Sequence, residues 1–145
     1  MIVRKVTRRT VFHHSLSPEV SVDEIRAWHK ARGFEDIGYH YVVHMDGRTD
    51  PGRKLELIGA HAAGKNADSV GVCLTGDFRL YPPTQQQVDA CKLLFAELRE
   101  NYGALAVDFH RSAILPNACP GRCLDRAQFR EYLTGRTIHI LFSYS

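Results

Sequence analysis

Short apolar runs that alternate with amphipathic stretches predict an α/β (α+β) chain, one sheet with helices packed on it. Three observations carry that reading. The segments "RTVFHHS" and "SVGVCLTG" are short, apolar and bounded by polar or turn residues, as buried strands are. The segments "SVDEIRAWHKARGF" and "PTQQQVDACKLLFAELRENYG" repeat apolar residues at helical spacing behind capping pairs. The two types alternate with no repeat, linker or low-complexity segment between them, so 145 residues fit one domain with a core of its own.

Taken in order, "RTVFHHS" reads as a strand that ends in polar residues. In the first helix, Ser21 and Glu24 form a capping box. Val22, Ile25 and Trp28 then recur on one face, and Gly33 can end the helix. "YHYVVHMDG" reads as a strand entering a tight turn at Asp46 and Gly47, followed by a polar, Gly-rich stretch through Asn66. "SVGVCLTG" is the second buried strand. Thr84 and Gln87 cap the strongest helix, whose apolar face is Val88, Cys91, Leu94, Phe95 and Leu98, with Gly103 as its stop. "LAVDFH" is a strand that again ends in histidine. Residues 111 to 124 read as irregular, a short helix is expected from about Asp125 to Leu133, and the tail "TIHILFSY" alternates like an edge strand.

Composition narrows the function classes. Apolar residues at 44% and charged residues at 24% are ordinary for a globular protein, and no segment approaches the roughly 20 apolar residues of a membrane span. The first twelve residues mix charge and apolar side chains too finely for a signal-peptide core, so synthesis and folding in a cytoplasm are expected. A net charge of +3 suits an anionic partner without demanding nucleic acid. Arg4, Lys5, Arg8 and Arg9 concentrate the positive charge, and a solvated edge is the expected role for them.

Four cysteines in such a chain do not suggest a disulfide framework. Cys73 and Cys91 fall in apolar patterns and read as packed thiols. Cys119 and Cys123, in a Pro/Gly-rich loop, are the better candidates for chemistry. Two predicted strands end near His13 and His110, and Cys119 follows in the next loop. Two imidazoles and a thiolate are a borderline-soft set suited to zinc, and three protein ligands with a fourth position left to water is the catalytic arrangement. A buried thiol beside two hydrogen-bonded histidines fits the same letters equally well.

The stretches "VFHHS", "IRAWHKARGFEDIGYHYVVHMDG", "GAHAAGKNADSVGVCLTGDF", "PTQQQ" and "HRSAILPNACPG", in that order, resemble the zinc-dependent N-acetylmuramoyl-L-alanine amidases of the amidase-2 and peptidoglycan-recognition-protein family, in particular the small phage amidases. The resemblance implies a central mixed β-sheet flanked by helices, forming one domain over 1–145. The motifs span about 10–124, and a short helix and tail follow at 125–145. It implies one zinc ion held by His13, His110 and Cys119. Tyr39 would stand near the metal, and His61 and Asn66 would line a muropeptide groove. The implied reaction is hydrolysis of the amide between N-acetylmuramic acid and the L-alanine of the stem peptide. Peptidoglycan or muropeptides would be the partner, and the protein a monomer that engages neither membrane nor nucleic acid. It would reach the wall from the host cytoplasm through a separate membrane pore.

One departure stands out. Phage relatives carry a lysine two residues before the cysteine, and many recognition proteins a threonine, where this chain has Asn117. Asparagine can donate a hydrogen bond to an oxyanion but cannot titrate. Arg111 or Arg122 can supply a cation instead. The remaining histidines have structural readings. His14 should point away from His13, because strand side chains alternate. His29 and His139 should lie at the surface, and His40 and His44 flank a strand without binding metal. Cys123 reads as a bystander, with metal binding as its alternative role if the longer loop after His110 shifts the ligand position. A peptidoglycan-binding module without activity is the rival reading, and retention of Cys119 argues against it. Some phage relatives also bind and inhibit their phage's RNA polymerase, a role with which Arg4 to Arg9 are compatible.

Overall fold

The structure, a computed structural model, describes residues 1–111 and 118–135. Its strands are β1 (Arg9–His14), β2 (Tyr41–Val43), β3 (Thr49–Pro51), β4 (Ser69–Leu74) and β5 (Ala106–Phe109). Its α-helices are α1 (Val22–Ala31), α2 (Gln85–Tyr102) and α3 (Arg126–Thr134), and a 3-10 turn covers Asn66–Asp68. The strands form one mixed sheet in the order β3-β2-β4-β1-β5. β1 runs parallel to both β4 and β5, β2 runs parallel to β4, and β3 returns antiparallel along β2.

Both predicted capping boxes are formed. Ser21 accepts from the Glu24 N–H and Thr84 from the Gln87 N–H, each with the reciprocal bond. Gln87 does more than cap. Its buried side chain also donates to the carbonyls of Val43 (3.1 Å) and Thr75 (2.8 Å), so the start of α2 is tied to the ends of β2 and β4. At the other end of α2, Gly103 takes φ 78°, a left-handed conformation that a side chain would oppose.

The two faces of the sheet differ. On one face α2 and α3 pack Val88, Leu94, Phe95, Leu98, Phe129 and Leu133 against Phe12, Val70, Val72 and Leu74. The other face carries a smaller cluster of Val20, Ile25, Ile37 and Val42 under α1. Because side chains alternate along β1, Phe12 enters the large core, where its ring meets Phe129 edge-on. His14 follows it, accepting a hydrogen bond at Nδ1 from the Phe78 N–H (3.0 Å). His13 projects to the opposite side.

Several expectations need correction. Trp28 is 43% exposed, and the buried face of α1 is made by Ile25 and His29 instead. His29 is therefore no surface residue; its Nδ1 accepts from the Gly38 N–H (2.8 Å), a buried backbone donor that must be paired. Arg4 is buried too, because Val3 bridges to Leu57 and brings the guanidinium onto Thr7, the Leu57 carbonyl and the Tyr102 hydroxyl. Lys5 and Arg8 are exposed as expected. The Asp46–Gly47 turn leads into β3, a strand the pattern did not signal. The expected helix near 125–133 is α3, capped by Asp125. The tail "TIHILFSY" and His139 lie outside the described residues. No helix among the described residues is long and apolar enough to cross a membrane.

Candidate metal centre

The site forms where parallel strands end side by side. Phe12 pairs with Phe109 across β1 and β5, and the His110 N–H donates to the Phe12 carbonyl (3.2 Å). The next residue on each strand is then a histidine, and the rings of His13 and His110 stand 4.8 Å apart, about the spacing of neighbouring strands. Lys65 secures the end of β5 by donating to the Phe109 carbonyl (3.0 Å) and pairing with Asp108 (3.2 Å).

Cys119 reaches the same point from the loop beyond β5. The Arg111 N–H donates to its carbonyl (2.9 Å), and its Sγ accepts from the His14 N–H (3.4 Å). Arg126 holds the loop in shape. Its buried guanidinium donates to the carbonyls of Arg111, Gly121 and Ala118 at 3.0 to 3.3 Å. Sequence reasoning missed this clamp. The signal available was a cation at the first position of α3, the wrong sign for a helix N-terminus.

One donor atom from each of His13, His110 and Cys119 lies within 4.8 Å of the others. His13 is buried, whereas His110 and Cys119 are partly exposed. Burial pushes the His13 imidazolium well below its ordinary range, with His61 and His110 adding to the effect. Burial lowers His110 as well. Both rings are neutral near pH 7 and can offer lone pairs. Burial pushes the Cys119 thiol up to about 11, so a metal taken up here must displace its proton. Cys73 is buried in the sheet, and Cys123 packs against the large core.

Tyr39 stands beside His13, ring centroids 5.0 Å apart. Burial, with the neighbouring Cys73 and Cys119, raises its phenol well above the usual range, which keeps the hydroxyl proton in place as a donor. His61 is buried behind His13, with its Nδ1 2.9 Å from His13 Nε2 and its Nε2 3.1 Å from the Ser69 hydroxyl. Asn66 turns the loop by accepting from the His61 and Ala62 N–H groups at its Oδ1 (2.9 Å each). Asn117 lies outside the described residues, and both Arg111 and Arg122 are exposed. A cleft of about 340 Å³ reaches the site at His110, lined among others by Arg32, Phe34, Tyr39, His61, Asn66 and His110.

The model of the family described as N-acetylmuramoyl-L-alanine amidase matches residues 4–122. The chain belongs to that family. It is similar to an endolysin of Enterobacteria phage K11, at 40% identity over 113 residues that cover 74% of each chain. Among solved structures it is similar to the N-acetylmuramoyl-L-alanine amidase LysC from Clostridium intestinale URNW, at 28% identity and a TM-score of 0.81, covering 90% of this chain and 87% of the other. It is also similar to the peptidoglycan recognition protein LE in complex with tracheal cytotoxin, a monomeric diaminopimelic acid-type peptidoglycan. There the identity is 26% and the TM-score 0.74, over 86% of this chain and 79% of the other. The mixed five-stranded sheet is that of the amidases and recognition proteins, and the chain is an amidase of this family.

The buried histidines make the amidase sensitive to acid. Burial lowers His14, His29 and His40 to about 4 and His61 to about 3. The unfolded chain binds a proton at each near pH 6.5, whereas the folded protein does not until about pH 4. Their contribution to stability is complete above about pH 6.5 and falls as the pH drops through that window. Urea denaturation of the chelator-treated protein should show its midpoint falling steadily from pH 6.5 to 4.5, with about four protons taken up on unfolding near the middle of that range. A midpoint independent of pH over this range would contradict the assignment of these rings as buried and neutral.

Proposed function

We propose that this chain is a zinc-dependent peptidoglycan hydrolase of the phage endolysin kind. It cleaves the amide between the lactyl group of N-acetylmuramic acid and the first L-alanine of the stem peptide. The observation that carries the reading is the trio of His13, His110 and Cys119 donors within 4.8 Å of one another, beside a cleft, in a chain of the amidase family. The named likenesses support the substrate class: an endolysin, an amidase, and a recognition protein holding a monomeric peptidoglycan. The enzyme acts on the cell wall once a separate pore has opened the membrane.

The residues fit zinc on their own chemistry. Two neutral imidazoles and a thiol that can ionise are the donor set of a three-ligand catalytic site. His13 Nδ1 lies 3.9 Å from Cys119 Sγ, close to the roughly 3.5 Å expected between tetrahedral ligands bonded at about 2.0 and 2.3 Å. When bound, the ion supplies Lewis acidity that activates water and polarises the scissile carbonyl.

The chain's own side chains do the rest. Tyr39 keeps its phenolic proton and donates it in a hydrogen bond to the oxyanion that develops on the carbonyl. Asn117 adds a second donor without taking part in proton transfer, because an amide does not titrate near neutral pH. His61 and Asn66 border the cleft in which the muropeptide lies. Arg126 keeps Cys119 within reach of the two strand ends.

Mass spectrometry of digested peptidoglycan tests the reading. Stem peptides with a free L-alanine amine should appear, and treatment with a chelator should stop their release until zinc is restored. Glycan fragments without free stem peptides, or full activity in metal-free protein, would overturn it. Tyr39→Phe should lower kcat about 10- to 1000-fold with little change in KM. An unchanged kcat removes Tyr39 from the reaction.

A further inference from the structure

His13 has two ring nitrogens, and they face different things. Nδ1 points towards Cys119, 3.9 Å from its Sγ, and Nε2 lies 2.9 Å from His61 Nδ1. His61 continues the chain, its Nε2 3.1 Å from the buried Ser69 hydroxyl. Such a chain can run in two directions only. If Ser69 donates to His61 and His61 donates to His13 Nε2, the His13 proton sits on Nδ1 and no lone pair faces Cys119. If His13 Nε2–H donates to His61 Nδ1 and His61 Nε2–H donates to Ser69, Nδ1 is left with a free lone pair. The second direction alone leaves His13 able to bind a metal beside Cys119.

The His61 ring is held in a tight slot between two glycines. A Cβ placed on Gly71 would come within 2.5 Å of its ring atoms, and one on Gly59 within 2.7 Å. Real Cβ atoms do not approach that closely, so the two glycines fix the ring where it meets His13. The backbone on its other side is fixed as well, because the His61 N–H is bonded to Asn66 Oδ1 (2.9 Å).

We propose that His61 is a positioning residue for the metal. It accepts the Nε2–H of His13, passes its own Nε2–H to Ser69, and thereby selects the His13 tautomer that ligates through Nδ1. The acceptor behind this ligand is a second imidazole rather than a carboxylate or a carbonyl. The proposal rests on the zinc reading above.

Zinc affinity, measured by competition with a chromophoric chelator, separates this role from simple packing. His61→Phe fills the slot without an acceptor and should weaken zinc binding about 10- to 100-fold. His61→Asn can place Oδ1 where Nδ1 stood and should stay within about threefold of the parent chain. Equal losses in both variants, or no loss in His61→Phe, would overturn the proposal. Nitrogen-15 NMR of the unaltered zinc-loaded protein tests it without a substitution. His13 should carry its proton on Nε2, and His61 likewise. A His13 bound through Nε2 would overturn the positioning role while leaving the zinc reading intact. A parent chain that takes up no zinc would overturn the zinc reading itself, and the positioning role with it.

Discussion

β1 is hydrogen-bonded along both edges, to β4 on one side and β5 on the other, and it is covered on both faces. That double constraint decides where the chemistry sits. A strand buried in this way cannot slip, because a shift of one residue would turn Phe12 out of the large core and His13 into it. With the register fixed at Phe12 opposite Phe109, the histidines that follow on β1 and β5 must emerge as neighbours at the same edge. Their separation is the spacing of the sheet, so the first two donors owe their distance to backbone geometry rather than to flexible loops.

The third donor is set differently. Cys119 comes from irregular chain, where no ladder of hydrogen bonds fixes position. A buried arginine takes the place of a strand there, with three backbone carbonyls of the loop converging on Arg126. That guanidinium is itself anchored by α3, which packs Phe129 and Leu133 into the core that holds Phe12. The three donors are thus referred to one packed unit from two directions. Behind them, His61 lies in its glycine slot and Tyr39 stands in front, each against the His13 ring.

What was legible in the sequence divides along physical lines. The capping pairs Ser21–Glu24 and Thr84–Gln87 could be read because their bonds join residues three apart. The buried strands β1 and β4 could be read because their apolar runs need no partner to be recognised. His29 and Arg4 could not, because what they satisfy lies elsewhere: the Gly38 N–H for the first, the Leu57 carbonyl and the Tyr102 hydroxyl for the second. Trp28 misled because helical spacing defines a stripe without saying which edge of it faces the sheet. The family likeness suggested the three candidate donors in chain order, yet the meeting of His13 and His61 joins rings 48 residues apart and left no local mark.

The central claim is that one metal ion is held by two imidazoles and one thiolate at the ends of β1 and β5. X-ray absorption at the zinc edge, on purified protein loaded with one equivalent of zinc, addresses it most directly. The account predicts a single sulfur at about 2.3 Å and nitrogen or oxygen neighbours at about 2.0 to 2.1 Å, with the sulfur shell lost in Cys119→Ala. A zinc environment with no sulfur, with two sulfurs, or with a sulfur that survives Cys119→Ala would contradict it.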